Sequence, residues 1–148
     1  MNDSTPAKSA TARPASALVS AEGTTTIADT VVSKIAGIAA KEVTGVYALG
    51  GGGGRGLGAI RERIPGARTN SAQGVSVEVG ETEAAVDLDL VAEYGVSIAD
   101  LASGIRRNVI SAVERMTGLH VVEVNVVVND VHLPQEDVVV EPVEARVQ

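Results

Sequence analysis

Apolar and polar residues alternate singly through Val86-Asp87-Leu88-Asp89-Leu90, and the same two-residue period runs through Val75-Ser76-Val77-Glu78-Val79. Each is the pattern of a β-strand with one dry face and one wet face. Glu93 continues the wet side of the longer stretch and Tyr94 the dry side, before Gly95 permits a turn. Gly80-Glu81-Thr82-Glu83 separates the two stretches, so they are expected to form a hairpin. Further on, Val122, Val124, Val126 and Val128 alternate with Glu123, Asn125, Val127 and Asn129, which predicts a last half-buried strand ending near Val131.

The period changes to that of a helix in between. Ser97 is a good N-cap, Asp100 follows three positions on, and Val96 and Leu101 are placed to staple the entry. Leu101, Ile105, Val109, Ala112 and Met116 form one apolar stripe, while Ser103, Arg107, Ser111 and Arg115 face away. Gly118 stands where a left-handed residue ends a helix. An echo occurs upstream. Thr26-Ile27-Ala28-Asp29 repeats the cap at Ser97-Ile98-Ala99-Asp100. Val31, Ile35, Ile38 and Val43 carry a stripe, and Thr44-Gly45 repeats the stop at Thr117-Gly118, leading into the apolar run Val46–Leu49. Caps converge for physical reasons, so this match falls short of establishing a duplication.

These elements predict a single two-layer α/β (α+β) domain over residues 24–131. Its mixed or antiparallel sheet carries two main helices on one face, with a short edge strand at Thr24–Thr26. Residues 1–23, rich in Ala, Ser, Thr and Pro, read as a disordered tail. Residues 132–148, acidic and broken by Pro134 and Pro142, read as a mobile one. Within the latter, Asp137-Val138-Val139-Val140-Glu141 has the composition of a segment that pairs with a sheet edge, although a plain tail is the simpler reading.

Composition narrows the function classes. With no Cys among 148 residues, disulfides, thiol catalysis and Cys-ligated metals are excluded. Two Tyr and no Trp or Phe, with a net charge of −7, argue against nucleic-acid binding, which needs basic surface and often stacking rings. No apolar run approaches the roughly 20 residues that span a bilayer, and the N-terminus has no signal-peptide core. The expectation is a soluble intracellular protein.

Residues 50–73 read as a Gly/Arg-rich connector. Gly50 to Gly58 satisfies GxGxxG only because it is nearly all glycine, and no Gly-Lys-Ser/Thr follows. Arg55, Arg61, Arg63 and Arg68, opposed by Glu62 alone, make a basic patch able to contact phosphate, lipid headgroups or an acidic partner; a solvated loop is the simpler reading. Asp87, Asp89 and Glu93, with Glu78 and Glu123 on neighbouring strands, can in principle hold a cation or move a proton. Strand alternation already predicts polar residues there if that face meets water. His120 and His132 lack a second ligand at metal-site spacing, and GxSxG is absent, so neither metal nor cofactor nor catalytic residue is expected.

The order of several pieces carries more information than any one of them. Glu42-Val43-Thr44-Gly45-Val46, a Gly-containing connector, and Gly74-Val75-Ser76-Val77-Glu78-Val79 are followed by the run from Asp87 to Ile98. Met116-Thr117-Gly118-Leu119 and Val122-Glu123-Val124-Asn125-Val126 complete the pattern. Over residues 24–131 it resembles the alkaline-shock (Asp/Gls-type) envelope stress response proteins; the Gly run and Arg cluster of the connector depart from it. The resemblance implies a non-enzymatic scaffold or adaptor of cell-envelope homeostasis, cytoplasmic and peripheral to the membrane. It implies self-association, attachment through a small membrane-anchored partner instead of a span of its own, and no catalytic or cofactor residues. The alternative is a small ligand- or anion-binding protein using the loop 50–68. For contacts, the candidate residues are Arg55, Arg61, Arg63, Arg68 and Arg107.

Overall fold

The computed structural model of the protein describes residues 18–51 and 68–137. A short hairpin, β1 (Val19–Ser20) and β2 (Gly23–Thr24), precedes helix α1 (Asp29–Lys41) and strand β3 (Val46–Leu49). Strands β4 (Arg68–Ala72), β5 (Val75–Val79) and β6 (Glu83–Glu93) follow. Helix α2 (Ile98–Thr117), β7 (His120–His132) and a 3₁₀ turn (Pro134–Asp137) complete the order.

The central strand is β6. It runs parallel to β7 along its whole length, from Glu83↔His120 to Glu93↔His132. Its other edge is therefore shared: β5 pairs antiparallel with Ala84–Leu88 and β3 antiparallel with Leu90–Ala92. Between those two partners, Asp89 N–H donates to Gly74 O at 2.8 Å and Gly50 N–H donates to Asp89 O. The sheet is mixed, and both helices pack on one face, as expected. On that face Ala84, Val86, Leu88, Leu90 and Ala92 of β6 are fully buried against Val32, Ala36 and Ala40 of α1 and Ile105, Val109 and Val113 of α2. The expected β5–β6 hairpin is present.

Helix α2 follows its local signals at both ends. Ser97 Oγ accepts from Asp100 N–H at 3.3 Å, and Gly118 caps the C-terminus at φ 82°. Its buried stripe is Leu101, Ile105, Val109, Val113 and Thr117; the expected Met116 is 64% exposed. A row repeating every four residues winds slowly around the helix, and α2 meets the sheet along that row.

Helix α1 departs further. Ala28 is its N-cap and offers no side-chain cap bond, so the echo of the Ser97 cap at Thr26 is sequence-deep only. The last turn tightens, Val43 N–H donating to Ala40 O at 3.2 Å, and the helix stops at Lys41, short of Thr44-Gly45. The buried side is made of small residues: Val32, Ser33, Ala36, Gly37, Ala39 and Ala40. Of the expected stripe, Ile35 and Val43 pack against the core, while Val31 and Ile38 are exposed.

Other differences have local causes. Arg68–Ala72, assigned to the connector from sequence, is β4, an antiparallel partner of β5 through a turn at Gln73-Gly74. The sequence Arg-Thr-Asn-Ser-Ala has no apolar alternation, so only pairing reveals it. Residues 18–23, placed in the tail, include a buried Leu18 and the β1–β2 turn. A bulge in β7 sets Val121 opposite Ala84 but Glu123 opposite Ala85. Val121 and Val124 are thereby buried, and Val122 is exposed. Tyr94, expected on the dry side, is exposed beyond the end of β6. The disordered 1–17 and the tail beyond Asp137 expected from sequence lie outside the described residues.

Candidate functional site

Small side chains let α1 settle close to the sheet. A Cβ added to Gly37 would lie 3.5 Å from Val75 Cγ2 and 3.6 Å from Leu49 Cδ1, ordinary contact distances. The larger residues of α1 are consequently turned outward. Lys34, Ile38 and Lys41, at spacings of four and three, share one outer stripe of the helix. Facing them across β3 are Tyr47 and Leu49, and the space between is a groove of about 680 Å³ with Val75 in its lining. Ile38 is 63% exposed and Tyr47 48%. Tyr47 is held in place: its ring stacks on His132, centroids 3.8 Å apart and planes 7° from parallel. His132 Nδ1 lies 3.1 Å from Glu93 Oε1, and Tyr94 N–H donates to His132 O at 3.1 Å. An apolar groove rimmed by two lysines and a fixed tyrosine has the make-up of a protein-docking surface.

Of the residues singled out from sequence, Arg107 is exposed on α2. It lines a recess of about 400 Å³ with Ser111, Gly104, Asn108 and the Glu42–Val43 end of α1. Asn108 Nδ2 donates to Ala39 O at 2.7 Å and to Glu42 Oε1 at 3.4 Å, which ties the two helices together beneath it. Ser103 and Arg115 are exposed on the same helix but do not line that recess. Arg68 opens β4 opposite Val79. Arg55, Arg61 and Arg63 lie outside the described residues. Arg107→Glu is expected to change stability by no more than about 0.5 kcal/mol, as for an exposed site without a buried partner. A chemical melt checks this, and a larger loss would mean that Arg107 supports the fold.

Sequence reasoning passed over Arg106 and Glu114. Arg106 Nε donates to Val124 O at 3.1 Å, and Glu114 Oε2 accepts from Val121 N–H at 2.9 Å. Helix α2 thereby occupies two backbone groups of β7, which among the described residues has β6 as its sole strand neighbour. The available signal was two charged residues flanking the buried stripe.

The wet face of the sheet is a correction. Glu78 and Asp89 are each 1% exposed, and Ser76 and Asp87 are buried as well. Asn125 Nδ2 bridges the layer, donating to Asp87 Oδ1 at 3.0 Å and to Glu123 Oε2 at 2.8 Å. Alternation says which side of a strand a residue takes; it does not say whether that side meets water. Among the described residues, no group of three His, Asp or Glu is arranged to hold a metal ion. His120 pairs with Glu114 on the surface at 3.2 Å.

Comparison with known proteins agrees with the sequence resemblance. The family model for alkaline shock protein 23, described as of cell envelope-related function, matches residues 17–133. The stress response regulator gls24 homolog of Streptococcus pyogenes serotype M3 is 38% identical over 115 residues, 77% of this chain and 62% of the relative. The chain thus spans less than two thirds of that relative's length. The uncharacterized protein YqhY of Bacillus subtilis strain 168 is 34% identical over 104 residues, covering 70% of this chain and 73% of that protein. No solved structure matches the chain.

Proposed function

As the chain belongs to the alkaline shock protein 23 family, whose described role is cell envelope-related, we propose that it is a non-catalytic adaptor in the envelope stress response. In this reading it works by protein–protein contact and self-association, on the cytoplasmic side of the membrane, through a small membrane-anchored partner. The carrying observation is the groove beside α1, where exposed Ile38 and Tyr47 lie between Lys34 and Lys41. Apolar anchors ringed by charge are what partner recognition uses. Stress response regulation, the role for which the gls24 homolog of Streptococcus pyogenes is named, fits the same reading. In this reading the partner supplies the attachment; among the described residues no helix is long and apolar enough to cross a membrane.

The test is fractionation. The full chain is expected to sediment with membranes of the cells that make it, and to stay in solution with neutral liposomes at physiological salt. Lys34→Glu with Lys41→Glu is expected to release it from the membrane fraction without changing its melt, since both side chains are exposed. Binding to neutral liposomes, or unchanged membrane recovery of the double variant, would refute the reading.

A further inference from the structure

We propose that the groove between α1 and β3 receives the chain's own C-terminal segment, residues 138–148, which thereby competes with an outside partner for the same surface. The proposal rests on the reading of the groove as a docking surface and names its resident occupant.

Chemistry is the first support. The groove offers Leu49, Val75 and Ile38, flanked by Lys34 and Lys41. Neither lysine has a carboxylate partner among the described residues, in a chain whose net charge is −7. The segment has the complementary order: Val138-Val139-Val140 between Asp137 and Glu141, then Val143 between Glu141 and Glu144. Four valines framed by acids match an apolar trough framed by lysines, and exposed charges of opposite sign attract without a buried penalty.

Position is the second. The chain leaves β7 at His132, whose ring stacks on that of Tyr47, a β3 residue that also borders the groove. The turn Pro134–Asp137 then delivers the segment from that neighbourhood. At about 3.3 Å per residue the segment reaches roughly 36 Å when extended. Helix α1, with 13 residues, is about 20 Å long. The tether is long enough to lie along the whole groove, and a short tether gives a high effective concentration, so modest contacts suffice.

The full chain has no cysteine, so Ala145→Cys provides a single point for a nitroxide label. In the labelled full chain, the amide signals of Lys34, Gly37, Lys41 and Tyr47 are expected to lose most of their intensity, and those of Arg107 and Ser111 to keep it. Lys34→Glu with Lys41→Glu should restore the groove signals. Val138→Ser, Val139→Ser and Val140→Ser should do the same should the lysine variant fold poorly. Broadening that is absent, that falls elsewhere, or that survives both sets of substitutions overturns the proposal. So does equal broadening when the label sits on a separate, mixed-in copy of the chain. These results leave the adaptor reading untouched, because that reading is decided by membrane recovery of the chain in cells.

Discussion

Ile105→Ala is expected to lower the stability of the protein by about 2–5 kcal/mol, a large part of what a domain of this size possesses. Ile105 is fully buried at the middle of the α2 stripe, between Leu101 and Val109, in the cluster that includes Leu88 and Leu90 of β6. Truncation removes three carbons from a site with apolar neighbours on every side. Because α2 is anchored at Ser97 and Gly118, it has little freedom to sink into the gap. The midpoint of urea unfolding should fall with the slope unchanged. Met116→Ala is the counterpart: the sequence stripe places Met116 in the core, whereas the structure exposes it. It should cost less than about 0.5 kcal/mol. Equal costs for the two variants would mean that the stripe runs through residue 116 after all.

Gly74→Ala should be nearly as damaging, at about 3 kcal/mol or more, for a different reason. Gly74 has φ +88°, and a Cβ there would collide with Gly50 N and sit 2.8 Å from Asp89 O. Those are backbone atoms of the junction at which β5 and the end of β3 share Asp89. Moving either one breaks a hydrogen bond of the central strand. The left-handed conformation costs a non-glycine residue about 1–3 kcal/mol, and the overlap adds about 1–3 kcal/mol. Gly95 isolates the first part, since it has φ +100° but nothing within 4 Å of the added carbon. Gly95→Ala is therefore expected to cost only the conformational share. Thermal melts of the pair decide the matter: if Gly74→Ala is no worse than Gly95→Ala, the β3–β5 junction yields easily.

Adaptor function and docking of the C-terminal segment converge on one surface; residues 137–141 were legible as a pairing stretch, whereas the groove was not visible as a motif. Ile38 looked like a core residue because its spacing from Ile35 and Val31 is helical. The groove exists because α1 buries its alanines and Gly37 instead, which brings the helix axis closer to Val75 and Leu49 than a leucine face would allow. Two apolar stripes were available on α1, one of large residues and one of small. The choice between them is made by the shape of the sheet, to which local periodicity has no access.

What the sequence by itself determined were features whose cause lies within a few residues. The Ser97 cap, the Gly118 stop, the β5–β6 hairpin and the alternation of Val86, Leu88 and Leu90 follow from local hydrogen bonds and period. So does the order of motifs that marks the family. What only the tertiary structure decided depended on residues far apart in the chain. β4 takes its form from β5, not from Arg-Thr-Asn-Ser-Ala, and the bulge that turns Val122 outward arises from the register of β7 on β6. Burial of Glu78, Asp87 and Asp89 belongs to the same class. Their side of the sheet was legible from the alternation, but whether a face meets water is settled by what packs over it, and that is a property of the whole fold.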